Sequence, residues 1–293
     1  MLWALLTVAA AATQTVRNAL QRGLTERVGA LGATHARFLY GLPFALVFLA
    51  VARAFGGPIA WPTLEGAALG ALGGLAQIGA TACLLAAMRS SAFLLAVAYT
   101  KSEPALVLLV AWAVLGEMPS LVQGFGILGA TAGVMLMAWP GGAARAGPWY
   151  RAVLLGLGSG ALFAVSAVAF RGAILTVEGA GFVTAALTVL ALVLAFQTAV
   201  LSAWLAIRDP GVMRALVAEP RGALPAGFCG ALASALWFAA FALASTALVR
   251  TLALVEVLFS QLVGRRWLAE RISRREGAGV ALMVGGIAAL LLG

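Results

Sequence analysis

Residues 99–117 read YTKSEPALVLLVAWAVLGE, and residues 252–270 read LALVEVLFSQLVGRRWLAE. Each stretch carries a glutamate, Glu103 or Glu256, then an apolar run, and closes on Leu115-Gly116-Glu117 or Leu268-Ala269-Glu270. They lie 153 residues apart, and the register extends beyond them. Leu84-Leu85-Ala86-Ala87-Met88 falls on Trp237-Phe238-Ala239-Ala240-Phe241, and Ser120 falls on Ser273. Gly124, Gly126 and Gly133 fall on Gly277, Gly279 and Gly286. Near the start of each half, a shift of 149 places Arg22-Gly23 on Arg171-Gly172. The chain reads as a duplication, with one copy over 1–142 and the other over 143–293.

What surrounds these stretches is almost entirely apolar. Of 293 residues, 63% are hydrophobic and 10% charged, with a further 35 glycines. A soluble domain is roughly 45–50% apolar and about 25% charged, so this chain could not cover a water-facing surface. Apolar segments fall at 2–22, 35–54, 64–88, 91–115, 120–139, 150–174, 180–206, 223–243, 246–266 and 274–292. Each is about the length that crosses a bilayer as a helix. The runs are too long and too uniform for the alternation of a barrel, and unpaired backbone is costly in hydrocarbon. The expected fold is all-α and polytopic, with ten transmembrane helices. Gly56-Gly57-Pro58, Pro140-Gly141-Gly142 and Asp209-Pro210-Gly211 punctuate it as turns, and the repeat places a further turn near Ala242–Thr246. The N-terminus lacks a basic leader, and polar Gln14, Arg17 and Asn18 follow directly, which reads as a retained first helix.

Five helices per copy is an odd number, so the second copy enters the membrane with opposite orientation. Inverted repeats of this kind are a mark of secondary transporters, whose sites lie near the midplane between the copies. The pattern Ser102-Glu103-Pro104, Leu115-Gly116-Glu117, Gln123-Gly124 and Gly133-Val134, with its second copy ending Leu268-Ala269-Glu270, resembles the EamA-type branch of the drug/metabolite transporter superfamily. That resemblance implies a ten-helix basket around a central cavity, with the fifth and tenth helices peripheral. It also implies export of amino acids or related small metabolites. Two departures stand out: the second copy reads Glu256-Val257 without the proline, and Lys101 lies outside the family pattern.

A charge at the bilayer centre costs about 2.5–3.5 kcal/mol on insertion scales, so each one demands a partner or a function. Lys101, the one lysine in the chain, lies with Glu103 at the middle of the fourth expected span, and Glu256 at the middle of the ninth. Lys101 admits two readings, a ligand for a substrate carboxylate or an ion pair with Glu103 or Glu256. On a continuous helix residues 101 and 103 would point about 200° apart, whereas Tyr99 and Glu103 would share a face. The two glutamates either brace the fourth helix against the ninth or load and unload a coupling proton.

In the first helix Gln14, Arg17, Asn18 and Gln21 form one polar stripe. The stripe should face the interior, where Arg17 can fork onto a carboxylate, unless Arg17 snorkels to the interface. Gln77 and Thr81, Phe163, Trp237 and Phe241, and Arg250 complete the candidates; Arg250, about one turn inside its helix, has the same snorkelling alternative. Such a mixture of cation, carboxylate, amide and aromatic wall suits a zwitterion with an apolar side chain. Small-residue steps at Gly70-xxx-Gly74, Gly129-xxx-Gly133 and Gly156-xxx-Gly160 suit close helix packing or dimer contacts.

Other classes find less support. No catalytic, phosphate-loop or metal motif is present, and no cofactor is expected. The lone His35 beside Arg37 reads as a solvated interfacial residue, and Cys83 and Cys229 lie inside apolar runs. The net charge of +9 reads as topology charge beside anionic lipid headgroups, with no nucleic-acid partner. A lone intramembrane lysine also suits a retinal protein, but that would place it in the last of seven helices; a transporter of other metabolites, such as nucleosides or sugar phosphates, and a lipid flippase are the nearer alternatives. The odd-numbered connections hold most of the arginines, among them Arg22, Arg27, Arg89, Arg145 and the 265–275 group, which predicts both termini outside. The resemblance implies both termini in the cytoplasm. The expected site is the inner (plasma) membrane, as a monomer or homodimer.

Overall fold

The computed structural model describes the backbone of residues 1–88, 93–138, 149–218, 220–259 and 273–293. Over these residues the protein is helical, without a strand. In chain order the helices are α1 (Leu2–Ala54), α2 (Leu64–Met88), α3 (Phe93–Thr100), α4 (Glu103–Leu115), α5 (Leu121–Ala138) and α6 (Trp149–Leu175). Then follow α7 (Phe182–Arg208), α8 (Pro210–Ala218), α9 (Pro220–Leu243), α10 (Thr246–Leu252) and α11 (Arg274–Leu292), with residues 255–259 helical beyond α10. The turn expected near Ala242–Thr246 separates α9 from α10.

Eight segments among the described residues are long and apolar enough to cross a bilayer, so the protein is a polytopic all-α membrane protein. Two of the ten expected spans account for the difference. The first, 2–22, is helical, but its polar stripe keeps it from standing out as a span. The ninth, 246–266, runs past residue 259 into a part outside the described residues, as do the turn at 140–142 and Arg89, Arg145 and most of the 265–275 arginine group. The side chains of Gln21, Arg22 and Arg27 also lie outside them.

The connection expected between the first two spans is itself helical apart from one residue. Gly29, at φ 70° and ψ 169°, breaks α1 into two arms, a backbone shape that a side chain would strain. Around the break Leu24, Val28, Ala33 and Ala36 pack with Leu216 of α8 and Ala223 of α9, and the Tyr40 hydroxyl donates to the Leu216 carbonyl at 2.7 Å. Apolar contact across the kink therefore fixes the angle between the arms.

The helices form two compact units, Met1–Leu75 with Ala169–Ala244, and Ala76–Val168 with Ser245–Gly293. Each draws on both halves of the sequence, and the boundaries fall inside α2 and α6. In the first unit both arms of α1 pack along α9, and α7 joins them.

The second unit is built on α5 against α11, whose glycines are the repeat mates noted above. A β-carbon at Gly133 would lie 2.5 Å from the Met283 nitrogen and 2.6 Å from the Gly279 carbonyl, so only glycine lets the backbones meet there. Gly126 stands likewise against the Gly286 carbonyl. Both helices begin with the same device. The Gln123 amide donates to Ser120 Oγ (3.2 Å) and the Ser120 amide to Gln123 Oε1 (3.1 Å); Glu276 and Ser273 repeat the exchange at 3.2 and 2.8 Å. These reciprocal capping bonds satisfy amides that a helix start leaves orphaned. The remaining small-residue steps also serve internal packing: Gly74 meets Phe196 and Gln197, and Gly156 meets Ala96 and Tyr99.

Candidate functional site

Two apolar runs expected to be continuous helices are broken. Between α3 and α4, Lys101 and Ser102 form a tight turn, with the Lys101 amide donating to the Ala98 carbonyl and the Ser102 amide to that of Tyr99, both at 3.1 Å. Pro104, in the first turn of α4, has no amide to continue the helix, and there it costs nothing. Between α10 and the helical residues 255–259, Ala253 and Leu254 make a second turn without a proline. With the 153-residue shift the two turns coincide to within one residue.

The breaks alter what their side chains can reach. Lys101 Nζ lies 3.0 Å from Glu256 Oε1, while Arg250 Nε and Nη2 lie 2.6 and 2.5 Å from Glu103 Oε1. Lys101, Glu103, Arg250 and Glu256 line one void of about 20 Å³ with Pro104, Ala253 and Leu254, room for about one water. The opposed directions expected of Lys101 and Glu103 hold only for an unbroken helix, and the turn at 101–102 brings both to the same void. Lys101 makes the ion pair with Glu256 that one of its two readings anticipates. Arg250 turns to Glu103 instead of snorkelling. The four charges cancel.

The same turn separates Tyr99 from Glu103. Tyr99 packs with Ala96, Ala152, Val153 and Leu155 and stands over Gly156. Gln77 and Phe163, also in this unit, are half-buried, and the Gln77 carbonyl accepts from Thr81 Oγ1 at 3.0 Å.

The other candidates gather in the unit of α1, α7 and α9. Trp237 Nε1 donates to Gln14 Oε1 at 3.2 Å, and the Trp237 ring stacks with Phe241 at a centroid distance of 6.3 Å. Arg17 is buried, and its Nη2 and Nε donate to Asn18 Oδ1 at 2.8 and 3.3 Å, while Asn18 is exposed. The stripe thus turns its Gln14–Arg17 edge to α9.

His35 overturns its expectation: it is fully buried, with Nε2 3.0 Å from Ser202 Oγ of α7. The kink at Gly29 presses the start of the second arm into the core, so a residue placed at a membrane mouth by counting is inside. Sequence reasoning also missed Gln197, fully buried with Nε2 donating to the Gly74 carbonyl at 3.2 Å. A lone amide within an apolar span was the signal available. Among the described residues no group of three His, Cys, Asp or Glu is placed to hold a metal, and Cys83 and Cys229 are free thiols.

A membrane-embedded bundle with paired charges at two helix breaks is the framework of a membrane transporter. The EamA-like transporter family model matches residues 1–139, a match consistent with a member of the drug/metabolite transporter superfamily. Its members are transporters, not enzymes. A protein of known crystal structure has the same fold, with a TM-score of 0.74 at 19% identity, covering 99% of this chain and 96% of that one. No curated protein sequence matches the chain.

Proposed function

We propose that the protein is a secondary transporter of the inner (plasma) membrane that exports amino acids or related small polar metabolites by alternating access, built from two inverted five-helix repeats. The observation that carries this reading is the pair of helix breaks at repeat-equivalent positions, each with a glutamate held by a cation from the other. Broken helices at matching places in two copies are how inverted-repeat transporters build midplane sites. Gln14, Arg17, Asn18 and Trp237 in one unit, and Gln77, Tyr99 and Phe163 in the other, are the candidate substrate contacts.

Lys101, Glu103, Arg250 and Glu256 act as the coupling group. Because their charges cancel, adding a proton to Glu256 leaves Lys101 as an uncompensated cation, available to a substrate carboxylate. Uptake of proton and anionic group together keeps the group neutral, which is the condition for moving it through a low-dielectric interior.

The test is flux of a labelled amino acid into proteoliposomes, with and without a pH gradient. Lys101→Ala and Glu256→Gln are each expected to lower the rate at least about tenfold, and Glu256→Gln to remove its dependence on the gradient. Full flux in both variants would remove these residues from the mechanism and leave the fold untouched.

A further inference from the structure

The two helix breaks are held in place by different means. With the 153-residue shift, Thr100 and Lys101 fall on Ala253 and Leu254. Leu254 anchors its own turn, packing with Ala130 and Val134 of α5 and Met283 of α11. Lys101 cannot do the same, because its ammonium is turned to Glu256 and the void they share. What fixes the first turn must therefore act on its backbone and on the residues beside the lysine.

That support comes from α6. Ala152, Gly156 and Gly160 follow one another at four-residue steps and share one small face of the helix. Ala96 and Tyr99 of α3 pack at Ala152, and a β-carbon on Gly156 would run into the Ala96 carbonyl oxygen. One on Gly160 would lie 3.1 Å from the Thr100 carbonyl oxygen, 3.4 Å from Ser102 Oγ and 3.6 Å from the Glu103 nitrogen. The residues on both sides of Lys101 thus rest on Gly160. Thr100 Oγ1 lies 3.0 Å from the Ala96 carbonyl oxygen and 3.3 Å from that of Gly156, so its proton is shared between α3 and α6. Ser102 Oγ donates to the Tyr99 carbonyl at 2.7 Å. A break inside a bilayer has no water to bond its backbone; Ser102 supplies a bond within the turn, and Thr100 ties the turn to α6.

We propose that Thr100 and Gly160 are positioning residues for the coupling group. The glycine lets the turn at 101–102 seat on α6, the threonine hydroxyl pins it there, and together they set the reach of the Lys101 ammonium to Glu256. This rests on the transporter reading above and adds to it the residues that keep the coupling cation in register. A β-carbon on Gly160 would push the Thr100 carbonyl back by a few tenths of an ångström. A misplacement of about 1 Å can cost about a hundredfold in rate, so a shift of this size is enough to be read.

Because Lys101 is the one lysine in the chain, the full-length protein in detergent, grown on lysine labelled with carbon-13 at the ε-carbon, gives a single lysine signal by NMR. Glu256→Gln supplies the reference for a lysine released from that partner. Gly160→Ala and Thr100→Val are expected to move the signal toward this reference, whereas Thr100→Ser, which keeps the hydroxyl, leaves it in place. In proteoliposomes the same two variants are expected to lower gradient-driven flux about fivefold, and Thr100→Ser to retain it. A merely structural role would lower the yield of folded protein without moving the lysine signal. Should Gly160→Ala fail to fold, the comparison of Thr100→Val with Thr100→Ser decides alone, since valine keeps the shape of threonine. The assignment is overturned by a lysine signal that stays in place in Thr100→Val, or that moves equally in Thr100→Val and Thr100→Ser. A signal that moves as expected, in a protein that carries no solute across the liposome membrane, would uphold the positioning and count against the transporter reading.

Discussion

The protein treats its intramembrane arginines in two ways. Arg250 is matched by Glu103 within hydrogen-bond distance, beside a second ion pair of Lys101 and Glu256, so that the charges of this group sum to zero. Arg17 and Arg37 instead converge from two arms of one helix over Gly230, where Arg17 donates to the Asn18 amide oxygen and Arg37 lies over the Phe38 ring. The first arrangement joins α4 to α10 through opposite charges, whereas the second joins the two arms of α1 where they approach α9 at a glycine. An internally balanced group of charges ties helices together by electrostatics, while long stems laid over a glycine notch set how closely a kinked helix approaches its neighbour.

The contrast can be broken most sharply at Glu103. Replacing it by Gln leaves the Arg250 guanidinium beside a neutral amide, and the expected loss is about 3 kcal/mol, read from denaturant unfolding in mixed micelles. The double variant Glu103→Gln, Arg250→Gln is expected to recover much of that loss, because it removes the stranded cation; a double variant as unstable as the single one would contradict the pairing. A smaller effect, about 1 kcal/mol, is expected for Trp237→Phe, which deletes the donor to Gln14 and keeps the ring; the same unfolding assay reads it. Arg37→Gln should change stability least, by about 0.5 kcal/mol, since it keeps the stem carbons beside Gly230 and relieves the like charge of Arg17. A loss as large as that of Glu103→Gln would mean that Arg37 holds the fold as firmly as Arg250 does and would erase the distinction between the two regions.

Much of this was legible before any coordinates. Long apolar runs and rare charges announce a helical membrane protein because lipid tolerates little else. The 153-residue register anticipated the α9–α10 turn, and it paired the glycines that let α5 and α11 touch. The importance of Lys101, Glu103 and Glu256 was also visible, since an ion in hydrocarbon always needs an account. Glu256 was one of two partners left open for Lys101, whereas Arg250 as the partner of Glu103 was not visible. A proline after Glu103 signals one break, but nothing local marks the turn at Ala253–Leu254, where tertiary packing overrides propensity. Angles counted on an ideal helix therefore misplaced Lys101 relative to Glu103. His35 was misjudged for a related reason: one glycine at positive φ redirects an arm of α1, and counting from the end of a span cannot reveal where that arm leads.

The serine caps of α5 and α11 carry a consequence for how this chain can change over time. Each cap fixes the first residue of its helix, and the glycine face of α5 lies a set number of residues beyond it. An extra residue in the turn ahead of Ser120 would be absorbed by the loop, while one placed between Gln123 and Gly126 would rotate that face by about 100° and wedge side chains where two backbones now touch. Length variation among descendants of this sequence should accordingly collect ahead of the serines and avoid the first turns behind them.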